Sequence, residues 1–133
     1  MLVLDEQLLG RGIDKALARW YRGSVVFITD LRPHTVIKDD AIPRLLRQQR
    51  QATFVTINAS DFWRVVTADR RYCLVCFALP DSRAAMIPDL LRTVFRQPLF
   101  RTKARRMGQV LLVTQTTVSY YTVHDQQVRM IPL

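Results

Sequence analysis

Long apolar runs, cysteine, histidine and lysine are all scarce in this chain, and each shortage removes a class of function. No apolar run approaches the ~20 residues that cross a bilayer, so a transmembrane helix is excluded and no membrane partner is expected. No basic segment precedes an apolar stretch at the amino end, and Asp5-Glu6 interrupts what would be a signal-peptide core, so the expected address is cytoplasmic. Cys73 and Cys76 have no second pair, and His34 and His124 lie far from them in sequence, so the usual four-ligand zinc spacings are missing. Both cysteines fall inside the apolar run from Tyr72 to Leu79, which reads as a strand. Alternation then sends their side chains to opposite faces, as buried structural thiols and not as a redox pair.

Acid is in short supply as well: eleven Asp and Glu against twenty Lys and Arg, a formal charge of +9. Only Lys15, Lys38 and Lys103 are lysine, and the other basic residues are arginine. Guanidinium binds phosphate through two parallel hydrogen bonds and stacks on bases, whereas ammonium acts as a point charge. An anionic partner follows, nucleic acid first and an acidic protein second. The plainer alternative is solubility charge, or the arginine preference of a GC-rich genome.

Hydrophobic residues make up 49% and charged residues 23% of the 133, enough for one proper core and incompatible with wholesale disorder. No repeat, low-complexity tract or linker divides the chain, so residues 1–133 are expected to form a single domain. Apolar periodicity alternates between strand-like and helix-like stretches. Residues 2–5 read as a strand, and 6 to about 21 as a helix with Leu8, Leu9, Ile13, Ala16, Leu17 and Trp20 on one face. Gly23 ends that helix, and 24–29 is a second strand. Asp39 is predicted to cap a helix to about Gln49, with Pro43 in its first turn. Residues 53–57 are an apolar strand of the kind covered on both faces. Strand 72–79 and a helix from Ser82 to about Arg96 continue the alternation, with Pro88 kinking or breaking the helix. Beyond the basic segment from Arg101 to Arg106, the stretches 110–114, 117–123 and 128–131 read as three short strands, a hairpin or meander. The class is α/β: a central, mainly parallel sheet with helices on both faces and a C-terminal meander.

Ligands of open parallel sheets bind beyond the carboxyl ends of the strands. Asp5, Asp30, Asn58 and Asp61 are predicted to lie at that edge, and Asp39 and Asp40 open a helix that can face the same cleft. Converging carboxylates suit a hard divalent ion, which takes oxygen ligands and assists phosphodiester cleavage. Each acid also has a local reading, as a turn residue, a helix cap or a first-turn acid. Arg44, Arg47 and Arg50 share one helix face. Arg64, Arg70 and Arg71 flank the acids, and Arg101 to Arg106 form a further cluster. Trp63 is the nearest ring for stacking on a base, although Phe62 and Trp63 also read as core.

The segments Leu-Val-Leu-Asp-Glu (2–6), Asp-Asp-Ala-Ile (39–42) and Val-Thr-Ile-Asn-Ala-Ser-Asp-Phe (55–62), with the terminal strands from Gly108, resemble the PIN-like family of small bacterial proteins. That family is related to the toxin ribonucleases of toxin–antitoxin pairs. The resemblance implies a three-layer PIN-like fold and a ribonuclease dependent on Mg2+ or Mn2+. Position by position, it makes Asp5, Asp39 and Asp61 the catalytic acids, and Asp5, Asp39, Asn58 and Asp61 the metal ligands. Arg44, Arg47, Arg64, Arg101 and Arg105 are then expected to hold nucleic acid. RNA, an antitoxin protein and a second copy of the chain are the partners expected. The family pattern has Asp where Asn58 stands, and one residue fewer before the next acid. These departures carry the alternative, a weak or inactive domain that binds nucleic acid or an antitoxin. A receiver-like phospho-acceptor domain also places acids at strand ends, but the missing lysine near the sheet edge and the terminal meander oppose it.

Overall fold

The computed structural model describes residues 1–133. Seven strands form: β1 (Leu2–Leu4), β2 (Val25–Phe27), β3 (Ala52–Thr56), β4 (Tyr72–Phe77), β5 (Gln109–Val113), β6 (Thr117–Thr122) and β7 (Arg129–Pro132). They make one sheet in the order β2-β1-β3-β4-β5-β6-β7. The first five strands are parallel, and β5, β6 and β7 form an antiparallel meander. Six helices accompany them: α1 (Ile13–Ala18), α2 (Ile28–Leu31), α3 (Ile42–Arg47), α4 (Ala59–Phe62), α5 (Ile87–Arg96) and α6 (Lys103–Arg106). None is long and apolar enough to cross a membrane.

The central strand explains the layering. Every residue of β4 is buried, and its alternate side chains feed two different cores. Cys73, Val75 and Phe77 pack with Leu17 of α1 and Leu91 of α5 on one face. Leu74 and Cys76 pack with Leu45 of α3 and Phe62 of α4 on the other. A strand covered on both faces has no solvent side for a polar residue, so the sequence YCLVCF shows no polar alternation. The α/β class, the mainly parallel sheet and the opposed cysteines all agree with the sequence.

Several helix boundaries differ from expectation. The single helix predicted over 6–21 is broken: a 3-10 turn spans Glu6–Leu8, and α1 starts only at Ile13. Gly10 and Gly12, at φ +73° and +74°, take the left-handed conformation, which a right-handed helix cannot continue through. Leu8, Ile13 and Leu17 still reach one core with Trp20 packed against it, but Leu9, expected on the same face, is exposed. Asp39 does not cap a helix to Gln49. It opens a 3-10 turn, its side chain caps nothing, and α3 ends at Arg47. Pro88 coincides with the break it suggested: a 3-10 segment with a non-helical Arg83 precedes α5, and Pro88 lies in the first turn of α5.

Burial pushes both thiols up to about 12, and reaction requires the thiolate. The native protein should leave Cys73 and Cys76 unmodified by a disulfide reagent at about pH 8, while the urea-unfolded chain reacts at both. Rapid reaction of either thiol in the native protein would contradict the two-sided burial of β4.

Candidate functional site

β1 lies between β2 and β3, so the chain first builds the sheet to one side of β1 and then returns to build it on the other. The connections leaving β1 and β3 diverge, and that reversal opens the crevice in which parallel α/β sheets bind ligands. Asp5 directly follows β1, and Asn58 lies just beyond β3. The parallel register pairs Leu4 with Val55, and the Asp5 backbone N–H donates to the Val55 carbonyl at 2.9 Å. Asp5 and Thr56 are thereby brought side by side.

Asp5 is 5% exposed, and its carboxylate accepts the Thr56 hydroxyl proton at Oδ2, at 2.6 Å. The same Thr56 oxygen accepts the Asn58 backbone N–H at 2.9 Å. Asn58 Nδ2 then donates to Asp61 Oδ2 at 2.6 Å, and Asn58 Oδ1 accepts from Ser60 Oγ at 3.2 Å. Asp61 lies in α4 and Asp39 in the 3-10 turn before α3, and the two approach closely enough for a protonated carboxyl to bridge them. The acids at positions 5 and 61 are therefore linked into one polar line, with Thr56 and Asn58 as connectors, and Asp39 lies within reach of its end.

Burial pushes the Asp5 carboxyl above the ordinary aspartate range, and the bonds from Thr56 and from the backbone of Glu6 only partly offset it. Asp39 is raised too, although its surface is exposed: partial desolvation acts first, then the negative fields of Asp5 and Asp61. No ion pair relieves these charges, since the three in the structure join Arg11 to Asp81, Arg71 to Asp69 and Arg129 to Asp125. A carboxyl raised by burial beside another raised by neighbouring acids marks a place that gains from a cation. The donor set of Asp5, Asp39, Asn58 and Asp61 is all oxygen, which suits a hard ion. No three Asp, Glu, His or Cys side chains assemble closely enough to enclose one. Mg2+ needs no such cage, because it is usually held by one or two carboxylates with waters and substrate oxygens completing the shell.

Asp39, Asp40, Ser60 and Asp61 open onto a cleft of about 580 Å3, which Arg47 and Tyr72 also line. Arg47 and Arg44 line an adjoining depression with Asp40, so two of the predicted basic residues do flank the acids. Arg64 is committed elsewhere: its guanidinium lies 5.1 Å from the Tyr121 ring centroid and donates to the Gln126 carbonyl at 3.2 Å. Arg101 and Arg105 donate to the carbonyls of Arg96 and Pro98. Both belong to the segment around α6, which packs at the start of β3, the opposite edge of the sheet. Asp30 is not part of the site either. It lies in α2, where its Oδ2 accepts the Phe27 backbone N–H at 2.8 Å and caps that helix. Trp63 packs edge-on against Tyr121, with centroids 5.3 Å apart, and acts as core. Thr56 and Ser60 escaped the sequence reading. The one available signal was a hydroxyl residue closing an apolar strand one position beyond the residue that pairs with Leu4.

No protein-family model matches the chain, and no curated protein or solved structure matches it.

The pKa directions fix the sign of a pH effect. Folding favours the protonated forms of Asp5 and Asp39, so their ionisation costs stability. The cost is absent below the ordinary aspartate pKa and complete above the raised one. Asp5→Asn should therefore stabilise the protein by about 0.5–2 kcal/mol at neutral pH, with the gain fading toward pH ~4. Thr56→Val strips a donor from Asp5 and an acceptor from Asn58, and should destabilise by about 1–3 kcal/mol. Urea denaturation of both variants across this pH range checks the two signs. A loss for Asp5→Asn that grows with pH would contradict them.

Proposed function

We propose that this chain is a PIN-like, metal-dependent ribonuclease that cleaves RNA phosphodiester bonds with Mg2+ or Mn2+, as the toxin of a toxin–antitoxin pair does. The observation that carries the proposal is the polar line Asp5–Thr56–Asn58–Asp61, with Asp39 in its field, at the reversal of strand order. Asp5, Asp39 and Asp61 would hold the ion, and Asn58 would add an uncharged oxygen. When bound, a divalent ion supplies a more acidic water and neutralises charge on the scissile phosphate. Thr56 keeps the Asp5 carboxylate fixed against the sheet. Asn58 orients Asp61 by donating to it and lessens the repulsion that Asp39 feels. Asp39 is exposed at the cleft, where its carboxylate would reach the ion from the solvent side. Arg44 and Arg47 hold the phosphate backbone beside it.

One observation favours a second reading, a catalytically weak domain that binds nucleic acid or an antitoxin. Asn58 turns its amide nitrogen toward Asp61 and its oxygen toward Ser60, so its oxygen is already engaged.

Cleavage of single-stranded RNA with and without Mn2+ separates the two. For the ribonuclease, Mn2+ raises the melting temperature by mass action. Asp5→Asn then lowers the cleavage rate roughly 10²–10³-fold while RNA binding persists. Arg47→Gln weakens binding and lowers the salt slope by about one. RNA binding without cleavage at any Mn2+ concentration selects the second reading, and absence of both overturns the proposal.

A further inference from the structure

The opposite edge of the sheet carries a cluster of charge that is wholly cationic. Arg106 of α6 is 2% exposed, and no carboxylate meets it. Its Nε donates to Thr53 Oγ1 at 3.4 Å, and its Nη1 to the carbonyls of Phe100 at 2.9 Å and Arg101 at 3.3 Å. Its guanidinium carbon lies 3.9 Å from the Phe95 ring centroid. Nη2 makes no hydrogen bond, and the Tyr21 hydroxyl lies near the guanidinium. A buried guanidinium ordinarily sits against a carboxylate or a phosphate, and here the protein provides neither.

Beside Arg106 is a cleft of about 340 Å3, lined by Trp20, Tyr21, Phe95, Arg101 and Lys103 and by no acidic residue. Trp20 also lines this cleft, and its indole N–H is buried and has no acceptor. Gly23 lets the rim close in: a Cβ there would lie 2.7 Å from Tyr21 Cε2 and 3.2 Å from Lys103 Nζ. The Met1 amino group, 3.4 Å from the Tyr21 hydroxyl, is lowered to about 6 by burial first and then by the positive fields of Lys103 and Arg106. Cations and unsatisfied donors thus converge from α6 and from the segment that follows α1.

We propose that this cleft binds the phosphate monoester of a nucleotide, with Arg106 and Lys103 on the phosphate. A phosphate offers several acceptor oxygens and up to two charges to donors arriving from different directions, which suits this arrangement better than a flat carboxylate does. The volume lies within the ~300–1,000 Å3 of small-ligand pockets, more than a bare phosphate needs. The exposed parts of Trp20 and Tyr21 offer ring surface to a base. Arg106 sits at the start of β3 and Asp5 at its far end, so this site stands or falls independently of the acidic crevice.

The two tryptophans provide the test, because Trp20 lines this cleft and Trp63 lies beside α4 on the acidic side. The full-length 15N-labelled protein is titrated with adenosine monophosphate, inorganic phosphate and adenosine, and the two indole N–H signals are assigned with Trp63→Phe. The nucleotide and phosphate should move the Trp20 signal and leave Trp63 in place, and adenosine should move neither. Lys103→Gln, at an exposed position, should weaken nucleotide binding on the order of tenfold. Arg106→Gln should weaken it further wherever that variant folds. A 5′-phosphorylated oligonucleotide that outcompetes its 5′-hydroxyl counterpart identifies a strand end as the phosphate source. Equal weakness of both oligonucleotides beside tight mononucleotide binding identifies the free nucleotide. The proposal is overturned if Trp20 is unmoved by the nucleotide at about 10 mM. Adenosine binding as well as its phosphate, or an unchanged affinity in Lys103→Gln, also overturns it.

Discussion

A parallel sheet covered on both faces leaves polar side chains almost nowhere to go except the ends of its strands. That constraint organises this protein. Along β4 no residue reaches solvent, and β1 and β3 are nearly as apolar. Charge is therefore displaced to the two edges of the sheet, and it is displaced unequally. The carboxyl edge links Asp5, Asn58 and Asp61 through Thr56 in one hydrogen-bonded line, with Asp39 in the field of its acids. The amino edge gathers Arg106 and Lys103 around a cleft with no acid in it. Neither edge neutralises the other, because the packed core lies between them.

Thr56 shows how the sheet is joined to its chemistry. Its hydroxyl donates to the carboxylate after β1 and accepts the backbone N–H after β3, so one side chain sets the geometry of both strand ends. Burial raises the carboxyl of Asp5, and partial burial with the fields of Asp5 and Asp61 raises that of Asp39, and the fold bears that cost where the two strands part. Short helices fit this pattern. With four to ten residues each, they owe their existence to the apolar faces they lay on the sheet more than to their own propensity.

Much of this was legible in the residues. The strands, their parallel character and the opposed cysteines follow from runs such as YCLVCF, and the terminal meander from its alternation. Asp5 could be placed at a strand end from five residues. Helix boundaries were less legible, because Gly10 and Gly12 interrupt a good apolar periodicity through backbone conformation, which periodicity does not register. Asp30 misled for a related reason: an acid after a strand either faces the cleft or caps the next helix, and only the backbone path decides which. The arginines were the least legible. Arg47 lines the acidic cleft and Arg101 the opposite one, although both belong to similar basic stretches.

What the sequence determined by itself was the class of structure and the chemical inventory: an apolar sheet with acids after its strands and an excess of guanidinium. Local periodicity carries that much, since it reports which residues can be buried together. The tertiary structure alone decided which of those groups meet. Asp5 and Thr56 are 51 residues apart in the chain, and they touch only because β3 pairs with β1 and not with β2. Strand order is set by how whole faces pack, not by any neighbouring residue. The partition of charge between two edges, and with it two separate clefts, became visible only in the assembled sheet.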